Sequence, residues 1–104
     1  MTQARRPVAI SQLAQEQLAA IPSDALYLQV KDAILRLAQF PGLGRVYDPE
    51  YEAARPPMSC RVMYAGRYGV YYTGFDAPGN EPLVIVAVED ERRDPLRRFS
   101  GMRG

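Results

Sequence analysis

The six consecutive apolar residues LVIVAV, at positions 83–88, restrict the fold more than any other feature of the sequence. The run is too short for a membrane-spanning helix, which needs about 20 residues, and it is rich in β-branched side chains. Such a run is typical of a β-strand that is buried on both faces. The rest of the chain must therefore supply the neighbours that bury it.

Two helices are predicted in the first half of the chain. Ser11 is a candidate N-cap for a short amphipathic helix that ends before Pro22, and Ser23 is a candidate N-cap for a second helix that ends at Pro41. The second helix has an apolar stripe with helical spacing, formed by Leu26, Val30, Ala33, Leu37 and Phe40. The two apolar stripes need a partner surface, which a sheet would provide.

The apolar period changes to two after residue 59. Cys60, Val62 and Tyr64 alternate with Arg61 and Met63, and a turn at 65–66 leads to a second strand at 68–75. Residues 5–10 predict a short edge strand, residues 42–57 a loop, and the pair Asp94-Pro95 the start of a short C-terminal helix. The order β-α-α-β-β-β plus a short helix predicts one α+β domain over residues 1–104, with an antiparallel three-stranded meander.

Composition excludes several classes of function. The 104 residues include a single cysteine, Cys60, and no histidine, so an internal disulfide, a multi-cysteine zinc site and a histidine-based triad are excluded. We expect no metal or other cofactor. The formal net charge of +1 creates no overall attraction to nucleic acid, so any anion site must be local. Without a membrane-length apolar run, the expected location is the cytoplasm.

The densest charged cluster, EDERRD at 89–94, follows the most apolar strand. Arg92 and Arg93 could bind a phosphate there, or the cluster could be a solvated turn in which Asp94 only caps the next helix. Arg97 and Arg98 extend the basic surface, although arginines in a helix also complement its dipole. Glu50 and Glu52, in the central loop, are either a general base or solvated carboxylates.

Arg61 and Arg67 flank the predicted hairpin. If Val62 faces the core, alternation places Arg61 on the exposed sheet face away from the helices. Tyr64 and Tyr68 could stack on RNA bases beside these arginines, or they could be present only because tyrosine is a good strand former. Cys60 is expected to be a buried thiol, since no histidine can activate it.

The segments CRVMYAGRYGVYYTGF and LVIVAVEDERRDPLRRF, following two helices, resemble the RelE/ParE superfamily of bacterial type II toxins. The resemblance covers residues 10–99. It implies a small sandwich in which a curved antiparallel sheet carries two N-terminal helices on one face. RelE-like members cut mRNA on the ribosome and inhibit translation, whereas ParE-like members poison DNA gyrase. Both kinds are neutralised by a cognate antitoxin.

For a RelE-like toxin the resemblance implies a metal-independent endoribonuclease, in which Arg61, Arg67, Arg92 and Arg93 surround the scissile phosphate. Glu91 is a candidate base, with Glu50 and Glu52 as alternatives. A C-terminal tyrosine of some members is replaced here by Phe99, which cannot donate a proton. The sequence therefore leaves three functions open: an mRNA endonuclease as the first hypothesis, a gyrase inhibitor as the alternative, and a non-toxic member of the same fold. All three imply a protein partner.

Overall fold

The computed structural model of the protein describes residues 6–49, 54–77, 81–94 and 99–103. Its helices are α1 (Gln12–Ala19), α2 (Asp24–Gln39) and α3 (Ser100–Arg103), and a 3-10 turn spans Pro41–Leu43. Its strands are β1 (Val8–Ile10), β2 (Arg45–Val46), β3 (Arg61–Ala65), β4 (Tyr68–Thr73) and β5 (Leu83–Asp90). The α+β class and the order of the predicted elements are confirmed.

Both predicted N-caps are present. The Ser11 hydroxyl accepts a hydrogen bond from the backbone N–H of Ala14 at 3.1 Å, and the Ser23 hydroxyl accepts one from Leu26 at 3.3 Å. Each bond satisfies an N–H group that the first turn of a helix would otherwise leave without a partner. The helices therefore begin where the sequence predicts.

The five strands form one sheet in the order β1-β5-β4-β3-β2. Strands β3, β4 and β5 are the predicted antiparallel meander. Strand β1 pairs with β5 in parallel, so the sheet is mixed rather than wholly antiparallel. The prediction of a loop throughout 42–57 is wrong at β2, whose two residues pair with β3 at the other edge. A two-residue strand is too short for any period to reveal it.

One core lies between the helices and the sheet. Its buried members are Ala14, Val30, Ile34, Leu37, Tyr68, Val70, Tyr72, Leu83, Ile85 and Val88. The second helix contributes Val30, Ala33 and Leu37 of the predicted stripe, and Leu26 is partly buried. The prediction is wrong at Phe40, which follows the last helical residue and is 52% exposed. Strand β5 is buried along its apolar run, as predicted.

A second core covers the opposite face of the sheet, and the sequence did not predict it. Its buried members are Cys60, Val62, Tyr71, Val86, Ala87 and Phe99. The Tyr71 ring lies edge-on to the rings of Tyr47 and Phe99, with centroids 4.9 and 4.8 Å away. The expected burial of the Cys60 thiol is confirmed, but in this second core.

The predicted C-terminal helix is interrupted at Phe99, and residues 95–98 of its predicted first turn lie outside the described part of the chain. Phe99 has φ of 63°, which is incompatible with a right-handed helix, so no continuous helix runs from Asp94 to Arg103. The described helix begins only at Ser100. The left-handed residue turns the chain so that the Phe99 ring packs fully buried against the sheet.

The predicted orientation of Arg61 is wrong. Val62 does face a core, but it is the second core, on the face away from the helices. Arg61 pairs with Tyr72 across the sheet, and directly opposed residues share a face, so Arg61 lies on the helix side. Alternation along β3 defines two faces, but it does not tell which face the helices cover.

Candidate functional site

A groove of about 340 Å³ opens where β4 begins and β5 ends. We call it the basic groove. It is lined by Gln17, Ala20, Pro22, Arg67, Tyr68, Val88, Glu89, Asp90, Arg92 and Arg93. Three of the arginines predicted as site residues therefore lie together.

Local structure explains this convergence. Gly66, with φ of +59°, allows the tight turn between β3 and β4, and Arg67 completes that turn. Antiparallel pairing then sets Tyr68 opposite Asp90, so the start of β4 meets the end of β5. The backbone N–H of Glu91 donates to the Arg67 carbonyl at 2.7 Å and fixes the two segments side by side.

Asp90 lies among the arginines of the groove. Its Oδ1 accepts the backbone N–H of Arg92 at 2.9 Å and lies 3.4 Å from the Arg92 Nε, while its Oδ2 is 3.7 Å from the Arg67 Nε. Desolvation alone would raise the Asp90 pKa, but the hydrogen bonds from Arg92 and the charges of Arg92 and Arg67 outweigh it and lower that pKa. The carboxylate is therefore ionised at neutral pH.

Arg93 approaches a second carboxylate, that of Glu89. The Arg93 Nη1 lies 3.8 Å from the Glu89 Oε2, and only 2% of the Glu89 side chain is exposed. The other carboxylate oxygen, Oε1, accepts the backbone N–H of Phe99 at 2.9 Å. Glu89 therefore connects the rim of the basic groove to the segment that closes the second core.

Glu91 lies on the face of the second core and is not part of the lining of the basic groove. The Tyr71 hydroxyl donates a hydrogen bond to its Oε1 at 2.8 Å. Burial raises the Tyr71 pKa, and the hydrogen bond and charge of Glu91 raise it further, so Tyr71 keeps its proton and remains a donor. A Cβ at Gly69 would collide with Glu91 and with the Tyr71 ring, so glycine there is what allows this approach.

A family model described as the ParE toxin of type II toxin-antitoxin systems, parDE, matches residues 8–95. The chain belongs to this family. The match extends from β1 through the basic groove, and it confirms the resemblance to the RelE/ParE superfamily. A search of curated proteins finds no match. As a toxin of a type II system, the protein has a cognate antitoxin as its partner.

Arg61 is remote from the basic groove of the toxin. It stands at the far end of β3 from Arg67, a separation of roughly 13 Å or more along the strand at about 3.3 Å per residue. Its Nη2 donates to the Gly44 carbonyl at 2.6 Å, and its guanidinium stacks on the Phe75 ring at 4.1 Å. Arg61 therefore anchors the segment before β2, and the four predicted arginines do not form one cluster.

The two predicted stacking tyrosines have different environments. Tyr64 is 44% exposed, and the guanidinium of Arg45 lies 5.4 Å from the centre of its ring. Tyr68 is only 6% exposed and belongs to the first core, although its edge lines the basic groove. Only Tyr64 offers a broad ring surface to a partner. Arg97, Arg98, Glu50 and Glu52 lie outside the described residues.

Arg6 has a structural role that the sequence analysis missed. Its guanidinium donates to the backbone carbonyls of Gly74, Phe75 and Glu81, with distances of 2.7 to 3.1 Å. These bonds tie both ends of the β4–β5 connection to the start of β1. No local pattern marks such a residue, because its acceptors are main-chain atoms about 70 positions away.

Among the described residues, no group of three or more Cys, Asp or Glu side chains is arranged to hold a metal ion. Within the same residues, no helix is long and apolar enough to cross a membrane.

Proposed function

We propose that this toxin acts as a ParE-like inhibitor of DNA gyrase, which disables its target by binding rather than by cutting RNA. The observation that carries the proposal is the position of Asp90, an ionised carboxylate among the arginines of the basic groove. This arrangement suits a protein surface better than a phosphoryl-transfer site.

Attack of an mRNA 2′-hydroxyl on the adjacent phosphate builds negative charge on the phosphoryl oxygens. Catalysis of that step requires positive groups aimed at those oxygens. In the basic groove the Arg92 guanidinium already donates to both Asp90 carboxylate oxygens at 3.4 Å, and the Arg67 Nε lies 3.7 Å from the same carboxylate. A phosphate there would have to compete with Asp90 and would be repelled by it.

Among the described residues, the groove offers few groups for proton transfer. The chain has no histidine, Glu91 accepts the Tyr71 hydroxyl on the face of the second core, and Phe99 is fully buried and has no acidic proton. The two carboxylates of the groove, Asp90 and Glu89, lie beside arginines. A positioned acid or base is typically worth about 10²–10⁴ in rate, so an endonuclease without either would be slow. Inhibition by binding needs neither.

Alternating charges and an apolar wall are suited to a protein partner. The groove sets Arg92 and Arg93 beside Asp90 and Glu89, and Ala20 and Pro22 contribute an apolar side. Complementary charges at such a surface determine which partner binds and how fast it associates. The name of the matching family is the second support for this reading.

A RelE-like, ribosome-dependent mRNA endonuclease is the second candidate, and one observation favours it. The Nε of Arg67 is buried and has no hydrogen-bond acceptor among the described residues. A phosphate oxygen could accept from it, with Arg92 and Arg93 at the rim.

The deciding experiment induces the toxin in a bacterial host and measures growth, mRNA 5′ ends and DNA breaks, together with supercoiling by purified gyrase. The proposal predicts growth arrest with DNA breaks, inhibited supercoiling and unchanged mRNA ends. New mRNA ends with normal supercoiling would establish the endonuclease instead. No arrest would remove the toxic function altogether.

Two variants test the groove itself, with Arg45→Ala at the remote edge strand as control. A double Arg92→Ala, Arg93→Ala variant loses toxicity under either candidate. Asp90→Asn distinguishes the gyrase inhibitor from the endonuclease. In the gyrase inhibitor it removes a negative charge that contributes to binding of the protein target, whereas in the endonuclease it removes a negative charge that repels the phosphate. We expect Asp90→Asn to weaken gyrase inhibition. Stronger toxicity with new mRNA ends would refute the binding model.

A further inference from the structure

Glu89 is the one buried charged residue in the part of the chain that the structure describes. Its Oε1 accepts the backbone N–H of Phe99 at 2.9 Å. Its Oε2 is also buried and accepts no hydrogen bond. Among the described residues, Arg93 is the one cation within ion-pair distance of this carboxylate, with its Nη1 at 3.8 Å from Oε2.

Arg93 serves two surroundings at once. It faces the buried Glu89 carboxylate on one side, and its side chain is 53% exposed and lines the basic groove on the other. A buried charge costs free energy unless a counter-charge or hydrogen bonds compensate it, and removal of one partner leaves that cost unpaid. Any group that draws Arg93 into the groove therefore acts on Glu89.

The other end of this contact holds the C-terminal cover, by which we mean Phe99 and Met102, the residues of the C-terminal segment that pack in the second core. Phe99 has φ of 63°, a left-handed conformation that is unfavourable for a residue with a side chain. The bond from its N–H to Glu89 helps to hold this conformation. The Phe99 carbonyl in turn accepts the N–H of Met102 at 3.0 Å.

We infer that Glu89 couples the basic groove to the C-terminal cover. A bound partner whose acidic side chain draws Arg93 away from Glu89 weakens the Glu89–Phe99 hydrogen bond and raises the fraction of time that this bond is open. The Phe99 ring packs on Tyr71 and Tyr47, so both cores stay in place. Because linkage is reciprocal, a weaker Glu89–Phe99 bond favours binding of that partner by the same factor.

Hydrogen exchange of single amides, followed by NMR, tests the coupling in the free toxin. Arg93→Ala imitates the withdrawal of Arg93, and we expect it to speed exchange of the Phe99 N–H by about tenfold, the usual size of coupling between contacting residues. The N–H of Ile34, which is buried in α2, reports on the first core. Its exchange should stay unchanged, because the effect is local.

Two controls isolate Glu89. Arg92→Ala removes the neighbouring guanidinium and the same charge, but Arg92 pairs with Asp90, so Phe99 exchange should not change. Glu89→Gln keeps an acceptor oxygen for the Phe99 N–H and has no charge that needs a counter-charge. Addition of Arg93→Ala to Glu89→Gln should therefore leave Phe99 exchange as it is in Glu89→Gln alone.

A second experiment tests the effect of a partner, and it rests on the proposed function because it uses purified gyrase. Hydrogen exchange of the C-terminal peptide, measured by mass spectrometry, should be faster in the gyrase-bound toxin than in the free toxin. The Glu89→Gln toxin should show no such increase. Binding is scored separately, by inhibition of supercoiling.

The outcomes that overturn the coupling are distinct from those that concern the target. Equal Phe99 exchange in the Arg93→Ala and Arg92→Ala variants, or the same acceleration in the Glu89→Gln background, would show that Glu89 carries no coupling. Faster exchange of Ile34 and Phe99 by one common factor would show a global loss of stability instead. Bound gyrase without faster exchange would refute the effect of a partner. Gyrase that does not bind would contradict the proposed function, whereas the variants would still test the coupling.

Discussion

Replacement of Phe99 by alanine tests whether the second core stabilises the fold. Phe99 is fully buried, and its ring contacts Tyr71 and Tyr47 at centroid distances of 4.8 and 5.9 Å. A phenylalanine-to-alanine change at a fully buried site costs about 3–5 kcal/mol, which includes the lost aromatic contacts. In a chain of this length each kcal/mol corresponds to about 4–8 °C, so we expect Tm to fall by at least about 12 °C.

Urea and thermal unfolding of matched variants measure this cost. Phe40→Ala is the control, because Phe40 is 52% exposed, and it should cost less than about 1 kcal/mol. Phe99→Gly should be no worse than Phe99→Ala, since glycine adopts the φ of 63° without strain. A loss below about 1 kcal/mol for Phe99→Ala would show that the C-terminal segment does not hold the sheet.

Three further predictions concern the groove and the buried thiol. Glu89→Ala should lower the free energy of unfolding in urea by about 1–3 kcal/mol, because it leaves the Phe99 N–H without its acceptor. Glu89→Gln keeps an acceptor oxygen and should lower it less. Equal losses for the two variants would contradict a role for Glu89 as the acceptor of this bond. The folded state lowers the Asp90 pKa, so the ionised Asp90 carboxylate stabilises the fold. This stabilisation is complete at a pH above 3.8, the ordinary pKa of the group, and it is lost as the pH falls through the lower pKa of the folded state. Asp90→Asn should therefore flatten the acid limb of the stability curve, and an unchanged limb would refute the shift. Burial raises the Cys60 pKa from 9.0 to about 11, so iodoacetamide at pH 8 should react about 100-fold more slowly with the native protein than with urea-unfolded protein; equal rates would mean an accessible thiol.

Local signals predicted the elements well, because they act over a few residues. Ser11 and Ser23 cap the helices that their positions predict, and the apolar run at 83–88 lies in a buried strand. The parallel pairing of β1 was missed because it joins segments about 75 residues apart. Nothing in three residues of sequence specifies the direction in which a distant strand pairs.

The sequence did not predict which residues cover the sheet face away from the helices. The apolar run of β5 required cover on both faces, but the helices account for only one of them. The other cover consists of Tyr47, Phe99 and Met102, which belong to separate loop or terminal segments without a period. As a result, Arg61 was assigned to the wrong face.

The candidate site was predictable in part for a similar reason. Arg92 and Arg93 are adjacent in sequence, and Arg67 joins them because a hairpin returns the chain to the end of the neighbouring strand. Arg61 does not join them, since the whole of β3 lies between. The role of Asp90 emerged only from the distances to its arginine neighbours.

Burial of both sheet faces also determines where the toxin can bind partners. Within the part of the chain that the structure describes, β4 and the apolar run of β5 are covered on both sides, which leaves sheet ends and helix exteriors as surfaces. The basic groove is a surface of the first kind, because it opens where β4 begins and β5 ends. A partner can therefore engage the arginines of this groove without displacing either core.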